Sequence, residues 1–263
     1  MGMDAPRPVC LITGGASGLG RAAAHRFGQA GYDLVIGDID TESGQETAAE
    51  LQRAGIEAKF VRTDVADPLS VGTLVETTMQ TFGRLNCAVN SAAIEGKRGL
   101  ITEYEDAEVR KIFSVNFMGV FSALRHEIAA MLKSGGGSIV NIGSSAGLRG
   151  TPHMAAYSSM KHALIGLTRA AALEYAGQGI RVNIVSPGSF KTPMSVRLYG
   201  EEVDNVLASV TPLLRAGSAE EIAEAIFWLG SPASSFVTGA NLAADGGKTA
   251  GAMLGVNAVW RTK

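Results

Sequence analysis

Apolar residues along the chain fall into two rhythms. Short runs stand at "VCLITG" (9–14), "DLVIGD" (33–38), "EAKFVRTD" (57–64), "LNCAVN" (85–90), "GSIVNIG" (137–143), "IRVNIVSPG" (180–188) and "GANLAADGG" (239–247), most of them closing on Gly, Asp, Asn or Ser. Runs this short, apolar at successive positions, read as strands buried on both faces of a parallel sheet. Between them lie longer segments, 18–30, 42–54, 68–82, 105–132, 155–177 and 219–230, in which apolar residues recur at helical spacing. Asp67-Pro68 and Ser218-Ala219-Glu220-Glu221 have the form of helix starts, a capping side chain followed by proline or acids. Regular alternation of strand and helix predicts an α/β doubly wound fold, a seven-stranded parallel sheet with helices on both faces. Without a linker, a repeat or a composition shift, residues 1–263 read as a single domain. The longest departure from alternation, 189–217, predicts a short helical lid over the C-terminal edge of the sheet, where such folds bind ligands.

Composition narrows the classes. Hydrophobic residues make up 46% and charged residues 18%, the balance of a folded globular chain. A formal net charge of −2 gives no sign of a nucleic-acid surface. Cys10 and Cys87 each lie in an apolar run and read as inert core thiols, and the absence of a C-x-x-C pair or clustered histidines gives no support for a metal site. The start "MGMDAPRP" lacks the pattern of a signal peptide, and no apolar stretch approaches the ~18 residues of a membrane span. A soluble, cytoplasmic protein without a membrane partner is expected.

Candidate chemistry begins at "TGGASGLG" (13–20), directly after the first predicted strand and at the opening of the first helix. Strand, glycine turn and helix N-terminus together form an anion site for a pyrophosphate, which makes Gly14, Ser17, Gly18, Leu19 and Gly20 candidate dinucleotide contacts. Asp38, at the end of the second predicted strand, can accept hydrogen bonds from both hydroxyls of an adenosine ribose. Its charge would repel a 2′-phosphate. Gly37 and Ile39 offer no cation to offset it, and position 17 is Ser, so NAD is favoured over NADP.

A second signal is "AAYSSMKHA" (155–163), which places Tyr157 and Lys161 four residues apart and therefore on one helix face. A fixed ammonium near a phenol favours the phenolate. Moving a tyrosine from its ordinary value near ~10 to about 7 requires roughly 4 kcal/mol, which Lys161 and a positive nicotinamide ring are expected to supply together.

The glycine turn, "TDV" (63–65), "NSAA" (90–93), Asn116, "NIGSSAG" (141–147), "YSSMK" (157–161) and "SPGSFKT" (186–192) occur in one order and at one set of spacings. Together they resemble the short-chain dehydrogenase/reductase family, from Val9 to about Gly247. The resemblance implies that Asn116, Ser144, Tyr157 and Lys161 are catalytic. It implies adenine contacts from Asp64 and Val65, ribose contacts near Asn90 and Ala92, and nicotinamide contacts from Pro187, Gly188, Phe190 and Thr192. In this reading Tyr157 exchanges a proton with the substrate oxygen as hydride moves, and Ser144 orients the same oxygen. Lys161 holds the nicotinamide ribose, and Asn116 anchors a water chain to solvent. Two departures stand out: Ala93 where the family pattern has glycine, and Phe190 where it often has Val or Ile.

Candidate pocket walls are Ile94, Glu95, Leu148, His153, Met154, Phe190, Met194, Leu198 and Tyr199, with Glu95, Ser144, His153, Met154, Met194 and Tyr199 as possible substrate contacts. Most are apolar, which argues against sugar phosphates and polyacids. "AIEGKRG" (93–99) resembles the same loop in relatives acting on cyclic ketones and cyclic diols, so a neutral cyclic or aryl-bearing secondary alcohol is expected, although Lys97 and Arg98 would suit a distant carboxylate. The alternatives are a 3-oxoacyl-carrier-protein or acyl-CoA reductase, and a non-catalytic NAD-binding scaffold. The resemblance also implies pairing of segments 105–132 and 155–177 with their copies; the small apolar face of 163–176 suits a homotetramer, with a dimer as fallback.

Overall fold

A computed structural model describes residues 6–191, 196 and 200–251. Its centre is one parallel sheet of seven strands: β1 (Val9–Thr13), β2 (Asp33–Asp38), β3 (Ala58–Arg62), β4 (Cys87–Asn90), β5 (Gly137–Ile142), β6 (Ile180–Pro187) and β7 (Asn241–Ala244). Their order in space is β3-β2-β1-β4-β5-β6-β7. Each strand lies within one of the predicted apolar runs.

Alternation along the strands decides which helices cover which face. Cys10 and Ile12 of β1 point into a core shared with α1 (Gly18–Gln29), α2 (Thr41–Arg53) and α8 (Ala219–Gly230), where Phe27, Leu51 and Ile226 are fully buried. Leu11 points the other way, among Leu74 of α3 (Pro68–Phe82), Met131 of α5 (Gly119–Lys133) and Leu164 of α6 (Ala155–Tyr175). Cys10 and Cys87 are buried free thiols on adjacent strands, and burial pushes the Cys10 thiol well above its ordinary range.

The predicted helix starts carry real caps. Asp67 accepts from the Leu69 amide at 3.0 Å, with Pro68 at the first helical position. Ser218 and Glu221 close a reciprocal capping box, at 3.1 Å from the Glu221 amide to Ser218 Oγ and 2.9 Å from the Ser218 amide to Glu221 Oε2.

One predicted helix is not continuous. Residues 105–132 form α4 (Asp106–Phe113), a π turn over Ser114–Met118, and then α5. The physical reason sits in the turn. Asn116 is fully buried; its Oδ1 accepts from the Ile94 amide at 2.8 Å, and its Nδ2 donates to the Ile94 carbonyl at 2.7 Å. The widened turn aims that amide at a loop backbone that no strand pairs, so both of its polar groups are satisfied. Gly119 follows because a Cβ there would stand 3.1 Å from Val65.

Of the predicted lid, the described part includes a turn at Gly200–Glu202 and helix α7 (Val203–Ser209). Thr192, Met194, Leu198 and Tyr199 lie outside the described residues.

Candidate active site

β2 and β4 leave β1 on opposite sides, so the connections after β1 and β4 part at the C-terminal edge. A crevice forms where such connections diverge. Here it is a cleft of about 1070 Å³, running from Asp38 and the glycine turn past Ser144, Tyr157 and Lys161 to Phe190 and Lys248.

The glycine turn forms the floor of one end. The Gly14 amide donates to the Gly37 carbonyl at 2.8 Å, and the Ala16 amide donates to Asp38 Oδ2 at 3.0 Å, so the turn is fastened to the end of β2. Gly14 takes φ +69°, and a Cβ there would meet the Ala92 backbone at 2.7 Å; a Cβ on Gly20 would come within 2.1 Å of the Gly14 carbonyl oxygen. Only glycine allows strand end, turn and helix to approach this closely. Ser17, the N-cap of α1, makes no side-chain capping bond, and the first turn of α1 contains no acid. Its amides are therefore left for an external anion.

The opposite wall carries the Ser-Tyr-Lys group. Ser144 opens a 3₁₀ turn (Ser145–Gly147) directly after β5, and its Oγ accepts from the Ala146 amide at 3.1 Å. Tyr157 stands in the first turn of α6. Ser158, next to it, donates to the carbonyl of Ala146, which ties that turn to the Ser144 loop and fixes the separation of the two hydroxyls. Lys161 is buried at 3% exposure; its Nζ donates to the Ile142 carbonyl at 2.8 Å and lies 5.6 Å from the Tyr157 ring centre.

The surroundings of Tyr157 raise its phenol rather than lower it. Burial pushes the Tyr157 phenol up to about 12, with the Ser144 hydroxyl pulling it down and the Glu95 charge raising it. Burial brings the Lys161 ammonium down to about 8. The chain's own groups thus do not lower the phenol toward 7. Lys161 is itself disfavoured as a cation, and its one bond goes to a carbonyl rather than to the phenol.

Two further expected contacts have a different place. Asn90 does not line the cleft: its side chain turns inward, and Nδ2 donates to Glu127 Oε2 and to Asn141 Oδ1, each at 3.0 Å. Asn116, likewise behind the wall, has both ends of its side-chain amide on the Ile94 backbone and so braces that loop. His153 is exposed and does not line the cleft, nor does Leu148. The His153 backbone takes a left-handed φ of 62°, and its carbonyl accepts from the Gly99 amide and the Tyr104 hydroxyl, so the residue joins two loops outside the cavity. Ile94, Glu95, Met154 and Phe190 do form wall, as do Ser17, Gly18, Leu19, Asp64, Val65, Ala92, Pro187 and Gly188.

The sequence reading missed Glu127, Arg149 and Lys248. Glu127 is fully buried on α5; with desolvation opposing its charge and only Asn90 favouring it, its carboxyl is pushed up to about 7. A lone acid among Leu124, Ile128 and Met131 on an apolar helix face was the available signal.

Residues 14–249 match a family model described as enoyl-(acyl carrier protein) reductase, of the short-chain dehydrogenase/reductase class. The chain is 39% identical to cyclohexanol dehydrogenase from Acinetobacter sp. (strain SE19), over 92% of this chain and 94% of that one. It is 40% identical to 2,5-dichloro-2,5-cyclohexadiene-1,4-diol dehydrogenase from Sphingobium indicum, over 94% and 99% of the two chains. Among solved structures, levodione reductase superposes with a TM-score of 0.89 at 35% identity, over 94% of this chain and 99% of that one. NAD⁺-bound xylitol dehydrogenase (TM-score 0.87, 30% identity, 93% and 100% covered) and ElxO with NADP bound (0.86, 32%, 93% and 100%) share the fold, so both cofactors occur among its neighbours. The chain belongs to the short-chain dehydrogenase/reductase family, oxidoreductases that move hydride between a nicotinamide cofactor and an alcohol or carbonyl. No helix among the described residues is long and apolar enough to cross a membrane.

Proposed function

We propose that the protein oxidises a secondary alcohol carried on a ring to the ketone, and reduces the ketone in reverse, with NAD as the cofactor. The observation that carries this reading is the convergence of Ser144, Tyr157 and Lys161 on one cleft whose far end holds the glycine turn and Asp38. The ring is supported by the names of the two relatives, a cyclohexanol and a cyclohexadiene-diol dehydrogenase.

The residues fit a dinucleotide. Uncapped α1 amides suit a pyrophosphate, the Asp38 carboxylate suits ribose hydroxyls, and Lys161 keeps two N–H groups beyond its Ile142 bond for the second ribose. A bound NAD⁺ supplies the hydride acceptor and a positive ring. Tyr157 Oη takes the hydroxyl proton as the carbinol carbon loses hydride, or returns it to the carbonyl oxygen. Ser144 Oγ donates to the same oxygen, and it is held for this by the Ala146 amide. Asn116 acts one step removed, through the Ile94–Glu95 loop that it braces.

The test is reduction of NAD⁺ by cyclohexanol and cyclohexanediols, followed by absorbance across pH. Oxidation uses the deprotonated Tyr157, and a phenol held at about 12 by its surroundings is almost all protonated at neutrality. Oxidation kcat/KM should therefore rise with pH between pH 6 and 8. It should flatten where Lys161, brought down to about 8, gives up its charge. Ketone reduction uses the protonated phenol and should be flat over the same range. No turnover of any cyclic alcohol with either cofactor would refute the reading.

Assembly as a homotetramer belongs to the same reading, as does a reducing, cytoplasmic setting for the free thiols. Phe113, Phe117 and Phe121 form a half-exposed row on the outer face of α4, the π turn and α5, with ring centres 5.3 and 6.4 Å apart. On α6, Ala163, Gly166, Ala170 and Leu173 are exposed at helical spacing, Leu173 by 85%. Two-fold pairing of these helices would cover both rows. Sedimentation at micromolar concentration should give a tetramer; a monomer would refute it.

A further inference from the structure

Beyond the reacting group, the cleft carries an unbalanced set of charges. Arg98 comes from the loop after β4, Arg149 from the segment after the Ser144 turn, and Lys248 from the segment after β7; all three line the cleft. Chain segments far apart in sequence thus bring three cations to one wall. The acids nearby are largely committed. Glu95 pairs with Arg98. The Asp245 carboxylate accepts from the Gly247 and Thr249 amides, each at 2.9 Å, and from the Thr249 hydroxyl. Neither Arg149 nor Lys248 has a carboxylate within ion-pair distance among the described residues. Asp38 and Asp64 lie at the glycine-turn end.

Lys248 is half-buried, and its Nζ donates to Ser189 Oγ at 2.7 Å. Ser189 stands between Gly188 and Phe190, and all three line the cleft. Burial and the charges of Arg149 and Arg98 hold the Lys248 ammonium below the usual lysine range, with Asp245 opposing. Arg149 and Lys248 repel each other across the cleft with only the Asp245 charge opposing, and a bound anion would relieve that repulsion.

We propose that Lys248 and Arg149, assisted by Arg98, bind a carboxylate on the substrate, so that the ring alcohol is a compact hydroxy acid, the class named for a relative that is 39% identical, cis-4-hydroxycyclohexanecarboxylate dehydrogenase. This rests on the cyclic-alcohol reading above and replaces the neutral ring expected from sequence. The anion belongs to a compact molecule because Lys248 is docked on the Gly188–Phe190 wall itself. A thioester of coenzyme A carries its phosphates many bonds from the reacting carbon. Lys97, the other basic residue of the loop, does not line the cleft.

The experiment uses the full-length protein with NAD and, separately, NADP. 4-Hydroxycyclohexanecarboxylate, its methyl ester, cyclohexanol and 3-hydroxybutyryl-coenzyme A are compared by kcat/KM. Hydrogen bonds to charged groups predict an acid-to-ester ratio of about 10 to 100. Lys248→Gln and Arg149→Gln should each lower that ratio about tenfold, chiefly through KM. Cyclohexanecarboxylate should inhibit cyclohexanol oxidation competitively, with a Ki that rises in the same variants. A wild-type ratio near one, a ratio that neither substitution changes, or turnover of the thioester with the acid inert would overturn the proposal. If the ester and cyclohexanol react and the acid does not, only the carboxylate site fails. If no cyclic alcohol reacts with either cofactor, the cyclic-alcohol reading fails with it.

Discussion

Tyr157→Phe should lower kcat by about 10³-fold in both directions, the middle of the range that a positioned acid–base group supplies. The substitution removes one hydroxyl and keeps the ring, so the packing at the start of α6 is preserved. The readout is turnover of a cyclic alcohol beside the dissociation constant for NAD. Turnover should collapse while the dissociation constant changes by no more than a few fold, because Tyr157 acts on the substrate oxygen. Ser144→Ala removes a hydroxyl that both faces the phenol and is held by the Ala146 amide. It should cost about 10²-fold. Since the two hydroxyls serve one oxygen, the double variant should be little worse than Tyr157→Phe alone. Retention of more than about a tenth of wild-type turnover by Tyr157→Phe would remove the tyrosine from the mechanism.

The sheet was legible because β1, β2 and β4 are short apolar runs buried on both faces, while the edge strands β3 (AKFVR) and β7 (NLAA), only partly buried, were recognised by their place in the alternation. Asp67-Pro68 and Ser218–Glu221 gave helix starts because capping is local chemistry. The break at Ser114–Met118 was not legible: it exists to satisfy the Ile94 backbone, 22 positions away, and no local propensity encodes that demand. Asn90 illustrates the same limit. Its position at the strand end was readable, but the choice between facing the cleft and facing Glu127 is made by α5 packing beneath it. The phenol's environment also escaped, since i to i+4 spacing says that two side chains share a helix face and nothing about how deeply they are buried. Lys248 and Arg149 were invisible as partners because they are 99 positions apart in the chain and meet only when β5 and β7 end on the same edge.

Cofactor choice is expected to turn on Asp38, with kcat/KM for NAD exceeding that for NADP by at least about 100-fold. The carboxylate is already placed. Oδ2 accepts from the Ala16 amide at 3.0 Å and Oδ1 from the Asp40 amide at 3.1 Å, so it lies along the lip of the glycine turn and lines the cleft. Ribose hydroxyls would donate to its remaining lone pairs. A 2′-phosphate brings negative charge to the same point and takes away one of those donors. Hydrogen bonds to a charged acceptor are worth about 1.5–3 kcal/mol, and the repulsion adds to that loss. Asp38→Ala should narrow the NAD-to-NADP ratio by at least about tenfold, mostly through a weaker KM for NAD. The same substitution frees the Ala16 amide and loosens the turn for both cofactors, so the ratio is the meaningful quantity and absolute rates are not. Equal kcat/KM for the two cofactors in the wild-type protein would show that Asp38 yields to the 2′-phosphate, and the ribose role would then pass to another group on the cleft wall.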